Sequence, residues 1–277
     1  MPSTIKIPDV RLLGQYTALK YAFFVWLASP ASALADIDID TANGLIDSKR
    51  TAWFKELQSH VITGYPQPGS EAANLDRLGS IAYAQDGGDR YRLAISDASQ
   101  KSIYKRAIMT QSALGSLTPE KTPRAPLDLS TFDSYSHLVD LYNQASYSYD
   151  ANEKRERTAD FILKDQFLRG RPKDVLENSQ YIKNYQSIKG SSFPSGHTWD
   201  GYETAMGMSL VFPERGSEII SRALQYGESR VVLRAHFPTD TIASRIGNYY
   251  YLSKMLEDDT LATTFFELSG DIRKQVE

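Results

Sequence analysis

Apolar residues recur three and four positions apart along most of this chain. The spacing holds in GLIDSKRTAWFKELQSHVI (44–62), RYRLAISDASQKSIYKRAIM (90–109), LVDLYNQASYSYDANEKRERTADFILKDQF (138–167) and HTWDGYETAMGMSLVF (197–212). That period places the apolar side chains on one face of an α-helix, and a strand needs a period of two. Turn-forming clusters separate the runs: GYPQPGS (64–70), QDGGD (85–89) and LGSLTPEKTPRAPLDLS (114–130). Alternating strand-like runs are scarce. One β-branched patch, SRVVLRAHF (229–237), is followed at once by Pro238 and a renewed helical pattern. The expectation is a single all-α domain, with residues 36–45 as a poorly packed leader and 113–130 as a long surface loop.

The chain is long enough, at 277 residues, to bury a sizeable core without covalent staples. It contains no cysteine, which removes thiol nucleophiles, iron–sulfur clusters, Cys-ligated zinc and disulfides together. A net charge of −3, with no run rich in Lys and Arg, gives no footing for nucleic acid. The first 35 residues differ from the rest. Lys6, Arg11 and Lys20 precede the apolar run YAFFVWLASPASALA, which ends in the small-x-small triplet Ala33-Leu34-Ala35. The pattern is that of a cleaved signal peptide covering 1–35, and the run is short for a span of about 20 residues. Its removal takes away three basic residues and one acidic one, so the net charge moves from −3 to −5. No second apolar run of that kind follows, so a soluble mature domain, 36–277, in the periplasm or outside the cell is expected.

Three short segments carry residues suited to chemistry. In KDQFLRGRP (164–172), Lys164 and Arg171 stand seven apart, two helical turns, so one face can present both cations before Pro172 ends the helix. Arg offers a planar fork matched to phosphate oxygens and Lys a point charge. Two cations at this spacing also describe an ordinary solvated face. In SSFPSGHTWDGY (191–202), Ser195 is a helix N-cap, Gly196 allows close approach, and His197 stands in the first turn. Free N–H groups there form an anion site, although a capped helix with a structural histidine fits equally. In GESRVVLRAHFPTD (227–240), Arg230 is a third cation. His236 precedes Asp240 by four residues, a spacing that lets the carboxylate accept from one imidazole nitrogen and leave the other for attack. Such pairs are commonly structural as well. His60 and His137 have no carboxylate or second ligand at motif spacing, and no metal cluster stands out. The acidic stretch DIDID (36–40) reads as solvated more readily than as a calcium site.

Taken in order, Lys164-x6-Arg171-Pro172, Pro194-Ser195-Gly196-His197 and Ser229-Arg230-x5-His236-x3-Asp240 resemble the three-part signature of the type 2 phosphatidic acid phosphatase superfamily. That superfamily includes class A bacterial non-specific acid phosphatases and vanadium haloperoxidases. PQPGSEAANLDRLGSIAYAQ (66–85) looks like the Pro-rich opening of the class A acid phosphatases, and YGESRVV (226–232) is similar to their segment around the signature arginine. The resemblance covers roughly residues 65–250. It implies a single-domain helical bundle of the acid phosphatase/vanadium haloperoxidase type and hydrolysis of phosphate monoesters through a phosphohistidine. No cofactor is implied, although vanadate would fit as a phosphate analogue.

By the same resemblance Lys164, Arg171, Ser195, Gly196 and Arg230 would bind the phosphate. His236 would attack phosphorus, Asp240 would hold His236, and His197 would pass protons. With both imidazoles at their ordinary value near ~6.5, activity would favour mildly acidic pH. Partners would be small phosphate monoesters, with no nucleic acid and no stable membrane insertion; the oligomeric state, a homo-oligomer included, stays open. Three other readings share the signature: a vanadate-dependent haloperoxidase, a soluble lipid phosphate phosphatase, and a non-catalytic phosphate-binding protein. The chain departs from the family at Lys173, where an aromatic is common, in its lack of cysteine, and at Leu233-Arg234-Ala235, where small residues are usual. Arg234 would add positive potential at the mouth of the site or lie exposed.

Overall fold

A computed structural model describes residues 38–83, 87–99, 133–176 and 190–276, all within one compact unit, Asp38–Glu277. The expected signal peptide, 1–35, and the loop expected at 113–130 lie outside the described residues. The first helix, α1 (Ile39–Glu56), starts where Asp38 caps it. Asp38 Oδ1 accepts from the Thr41 amide at 2.9 Å and Oδ2 from the Thr41 hydroxyl at 2.6 Å, and these bonds hold its carboxyl below the usual range. The leader expected at 36–45 is therefore corrected from residue 39 onward. Ala42 and Ile46 are fully buried, because the helical period of α1 begins before Gly44. A π-turn, Leu57–Val61, extends α1.

The helices α2 (Glu71–Tyr83) and α3 (Gly88–Ser99) follow, then α4 (Asp133–Ser146). The long periodic run 138–167 does not stay helical. It breaks into an antiparallel hairpin, β1 (Tyr147–Asp150) and β2 (Arg155–Thr158), with Tyr147 opposite Thr158 and Asp150 opposite Arg155. The hairpin has a local cause. The Asp150 carboxylate accepts from the amides of Asn152 and Glu153 at 2.9 and 3.3 Å, and Lys154 takes a left-handed φ of 52°. An Asp that bonds the backbone two residues ahead favours a turn over a helix. Among the described residues this hairpin is the whole sheet. The domain is all-α in class.

The remaining elements are α5 (Ala159–Phe167), the single turn α6 (Pro172–Val175), α7 (Gly196–Val211), α8 (Gly216–Val232), α9 (Pro238–Leu256) and α10 (Asp259–Val276). Helix α7 packs against α8, α9 and α10; α8 leans on α3; α4 sits between α1 and α10. The α7–α9 crossing is close because residue 247 has no side chain. A Cβ there would stand 2.4 Å from the Trp199 ring. Trp199, Tyr202, Tyr226 and Tyr251 fill the centre and are essentially inaccessible. Truncating one such aromatic to alanine costs about 3–5 kcal/mol.

Buried amide and hydroxyl groups of Asn248 and Ser244 on α9 are paired. Asn248 Nδ2 donates to the carbonyls of Trp199 and Ser244 at 3.1 and 2.9 Å, and the Tyr142 hydroxyl donates to the Asn248 carbonyl at 2.8 Å. The Ser244 hydroxyl donates to the Ser195 carbonyl at 2.8 Å. These bonds fasten the start of α7 to the start of α9. Among the described residues no helix is long and apolar enough to cross a membrane.

Candidate active site

The three signature segments converge where α5, α7, α8 and α9 begin or end. Helix α5 stops at Leu168, whose backbone is left-handed (φ 49°). Arg171 lies beyond that stop in an extended conformation, as the residue before α6. Lys164 and Arg171 thus do not share a helical face, as their spacing suggests. Leu168 ends the helix four residues before Pro172, and Pro172 opens the next turn.

Lys164 Nζ bonds the Asp160 carboxylate at 2.6 Å, one helical turn back. Both side chains abut the first residue of α7. A Cβ on Gly196 would lie 2.9 Å from Asp160 Oδ2 and 3.1 Å from Lys164 Nζ. Only glycine lets the free amides of a helix start and a lysine ammonium stand this close. Ser195 caps α7, its oxygen accepting from the Thr198 amide at 3.3 Å and the Thr198 hydroxyl at 2.9 Å. It is fully buried, so cap duty occupies the side chain and one hydroxyl hydrogen remains for donation. His197, in the first turn of α7, is exposed.

Arg171 is buried and held at several points. Nε donates to the Gly190 carbonyl at 3.1 Å, Nη2 to that of Ser191 at 3.2 Å, and Nη1 to that of Ala235 at 2.8 Å. Burial pulls its guanidinium down from the ordinary arginine value, which nearby Asp240 and Asp174 oppose. Arg230, in the last turn of α8, is buried with its guanidinium 5.1 Å from the Tyr226 ring centre. Its carbonyl accepts from the amides of Ala235 and His236 at 3.0 and 3.3 Å. That fold-back delivers His236 to the site. Arg234 sits within the same turn at φ 53° and is buried, so it does not lie exposed.

His236 has a defined tautomer. Nδ1 lies 2.7 Å from the Ser192 carbonyl, which can only accept, so Nδ1 carries the hydrogen. Nε2 lies 3.2 Å from Arg171 Nη1, which can only donate, so Nε2 keeps its lone pair. Burial pushes the imidazole down to about 4, Asp240 acting upward and the Arg171 and Lys164 charges downward. The ring is therefore neutral across most acidic conditions.

The His–Asp spacing points to a real neighbour but not to the closest acceptor. Asp240 Oδ2 is 3.5 Å from Nδ1, beyond a hydrogen bond. It accepts instead from the Phe237 amide at 2.8 Å, capping α9. Ser229 is likewise committed elsewhere; its hydroxyl donates to the Asp97 carboxylate at 2.7 Å and ties α8 to α3.

Several residues of the site escape the sequence reading. Arg169 donates through Nη1 to Asp240 Oδ1 and through Nη2 to Asp76 Oδ2, each at 2.6 Å. Asp76 also accepts from the Thr239 amide at 2.9 Å. Asp160 was findable as the acidic partner four residues before Lys164. Asp76 and Arg169 are ninety-odd residues apart, and the Ser192 carbonyl has no side-chain signature at all. No group of metal-ligating side chains occurs among the described residues. A cavity of about 180 Å³ is lined by Tyr83, Thr198, Leu224, Pro238, Ile242 and Arg245, and none of the cations described above lines it.

Residues 158–250, which span α5 through most of α9, match the PAP2 superfamily. Over 186 residues it is 30% identical to the non-specific acid phosphatases of Salmonella typhimurium and Salmonella typhi, covering 65% of this chain and 66% of each relative. The matched part thus falls just short of two thirds of those proteins. A shorter stretch of 58 residues is 40% identical to the non-specific acid phosphatase of Providencia stuartii, covering 21% of this chain and 23% of that one.

Proposed function

We propose that the protein is an acid phosphatase that hydrolyses small phosphate monoesters through a phosphohistidine on His236, without a metal ion. One observation carries the reading. His236 is buried with Nδ1 against the Ser192 carbonyl and Nε2 against the Arg171 guanidinium, an arrangement that favours the neutral ring with its lone pair on Nε2. An imidazole so held is a ready nucleophile at the edge of an anion-binding cluster. The acid phosphatase names of the Salmonella relatives point the same way.

In this reading Lys164, Arg171 and Arg230 neutralise the phosphate oxygens, with the Gly196 amide and the Ser195 hydroxyl as further donors. Phosphoryl transfer depends mainly on such positioning and charge neutralisation. The Nε2 lone pair attacks phosphorus, the bond to the ester oxygen breaks, and His197 gives the departing alkoxide a proton. His197 then takes a proton from water as its oxygen attacks phosphorus; the P–N bond breaks and the electron pair returns to Nε2. The exposed position of His197 suits a residue that must meet both leaving group and water. The basic, apolar and small-residue order of residues 1–35 supports export to the periplasm or beyond.

The test is turnover of a panel of monoesters from pH 4 to 8, with and without EDTA, alongside acid-quench trapping of labelled phosphoenzyme. Activity that persists in EDTA and label that disappears in His236→Ala support the reading. Activity abolished by EDTA overturns it.

A further inference from the structure

We propose that Asp160 makes the phosphate pocket selective for anions that still carry a proton: its carboxylate accepts from a hydroxyl of the ligand, so monoprotonated phosphate monoesters are taken, and sulfates and phosphate diesters are refused. The inference rests on the phosphate-binding role given to Lys164 and Gly196 above. Asp160 stands in the first turn of α5 and is buried. The position suits an acidic side chain, because a helix start favours negative charge. Oδ1 accepts from the Thr158 hydroxyl and Oδ2 from Lys164 Nζ, each at 2.6 Å. The Lys164 ammonium also lies 5.2 Å from the centre of the Phe161 ring. These contacts fix the lysine before any ligand arrives.

The same carboxylate borders the place a phosphate must occupy. Asp160 Oδ2 would stand 2.9 Å from a Cβ on Gly196, and Lys164 Nζ 3.1 Å from it. A phosphate held by the Lys164 ammonium and the Gly196 amide therefore has a carboxylate oxygen at its side. Two anionic oxygens side by side repel. A proton on the ligand reverses the sign, because an O–H bond aimed at an ionised acceptor is short and strong. A carboxylate has about four lone-pair sites, and the bonds from Thr158 and Lys164 occupy two of them. Holding the lysine alone would not require a charge, since an amide oxygen accepts as well.

A phosphate monoester keeps one proton until its second ionisation near ~6. A phosphate diester or a sulfate ester has none to give there. Monoesters should therefore bind best below about 6, from the protonation of the substrate itself. Helix α5 packs on the hairpin and on α7. The charged and titratable groups on this side are Lys164 and Asp165 of α5, Asp150 and Arg157 of the hairpin, and His197 of α7. Arg157 is engaged by Asp150 and Asp165 at 2.6 and 2.5 Å, and Lys164 is the cation that pairs with Asp160.

The experiment compares inorganic phosphate with sulfate, two tetrahedral anions of like size, on the full chain and on Asp160→Asn. At pH 8 both are chiefly dianions, and only phosphate carries a proton. Affinities are read by calorimetry at pH 5 and pH 8. The expected result is a preference for phosphate of at least about 10-fold in the native protein at both pH values, the effect of one charge-assisted hydrogen bond. In Asp160→Asn, whose amide can donate to sulfate, the preference should fall to near parity. A native protein that binds the two ions equally, or neither, overturns the proposal, and so does an undiminished preference in Asp160→Asn. Should the variant fail to fold, the native ratio alone decides. Because binding is measured without turnover, the result is separable from the phosphatase reading, which fails if His236→Ala retains activity.

Discussion

The two motif histidines occupy opposite environments. His236 is buried in the turn between α8 and α9, with Nδ1 on the Ser192 carbonyl, Nε2 on Arg171, and its own amide on the Arg230 carbonyl. His197 projects from the first turn of α7 and is exposed. A nucleophile has to present one lone pair along one line, so tautomer, orientation and charge must all be fixed. A proton carrier has to serve leaving groups of varied shape and then water, so access matters more than rigidity. The fold supplies burial to one histidine and exposure to the other.

The sharpest break in that comparison is His236→Ala. It should abolish phosphoenzyme labelling and reduce kcat by at least about 10⁴-fold, whereas ordinary turnover in this variant would refute the division of roles. His197→Ala should cost less, about 10²–10⁴-fold with alkyl phosphates. The loss should shrink with p-nitrophenyl phosphate, whose leaving group needs little protonation. Equal losses on both substrates would take the acid role from His197.

Gly196→Ala tests the close approach that flanks them. The added methyl meets Asp160 and Lys164, so phosphate binding should weaken by about 10-fold, one lost charge-assisted contact, and inhibition by inorganic phosphate measures it. A separate effect is on stability against pH. The native His236 titrates near 4 and the unfolded one near 6.5. Between these values the unfolded chain holds more protons, so the stability contribution is complete above 6.5 and declines as pH falls toward 4. Urea midpoints measured across that window should show the decline in the native protein and a flatter profile in His236→Gln.

The sequence is most legible where one local rule decides the outcome. Ser195 followed by a 3.6-residue period marks the start of α7, and Pro238 marks that of α9. All three signature segments do meet. The hairpin 147–158 is hidden because its strands are only four residues long and the apolar spacing runs straight through them; the deciding contact is one Asp150 side chain on two amides. The place of Arg171 is misread because helical spacing assumes a helix, and Leu168 ends it with a backbone angle that leucine rarely takes. The His236–Asp240 spacing does give a close neighbour, but not the nearest acceptor. A main-chain carbonyl from 44 residues upstream in sequence stands nearer the imidazole than the carboxylate four residues away, and periodicity carries no information about carbonyls.

The clearance at Gly196 also reaches beyond this one chain. Position 196 has no room for even one methyl group unless the carboxylate at 160 or the ammonium at 164 withdraws. A side chain gained at 196 is therefore coupled to what stands at 160 and 164. In any lineage built on this backbone they should be inherited as a set, and a chain that gains a side chain at 196 should carry a shortened or uncharged residue at 160 or 164.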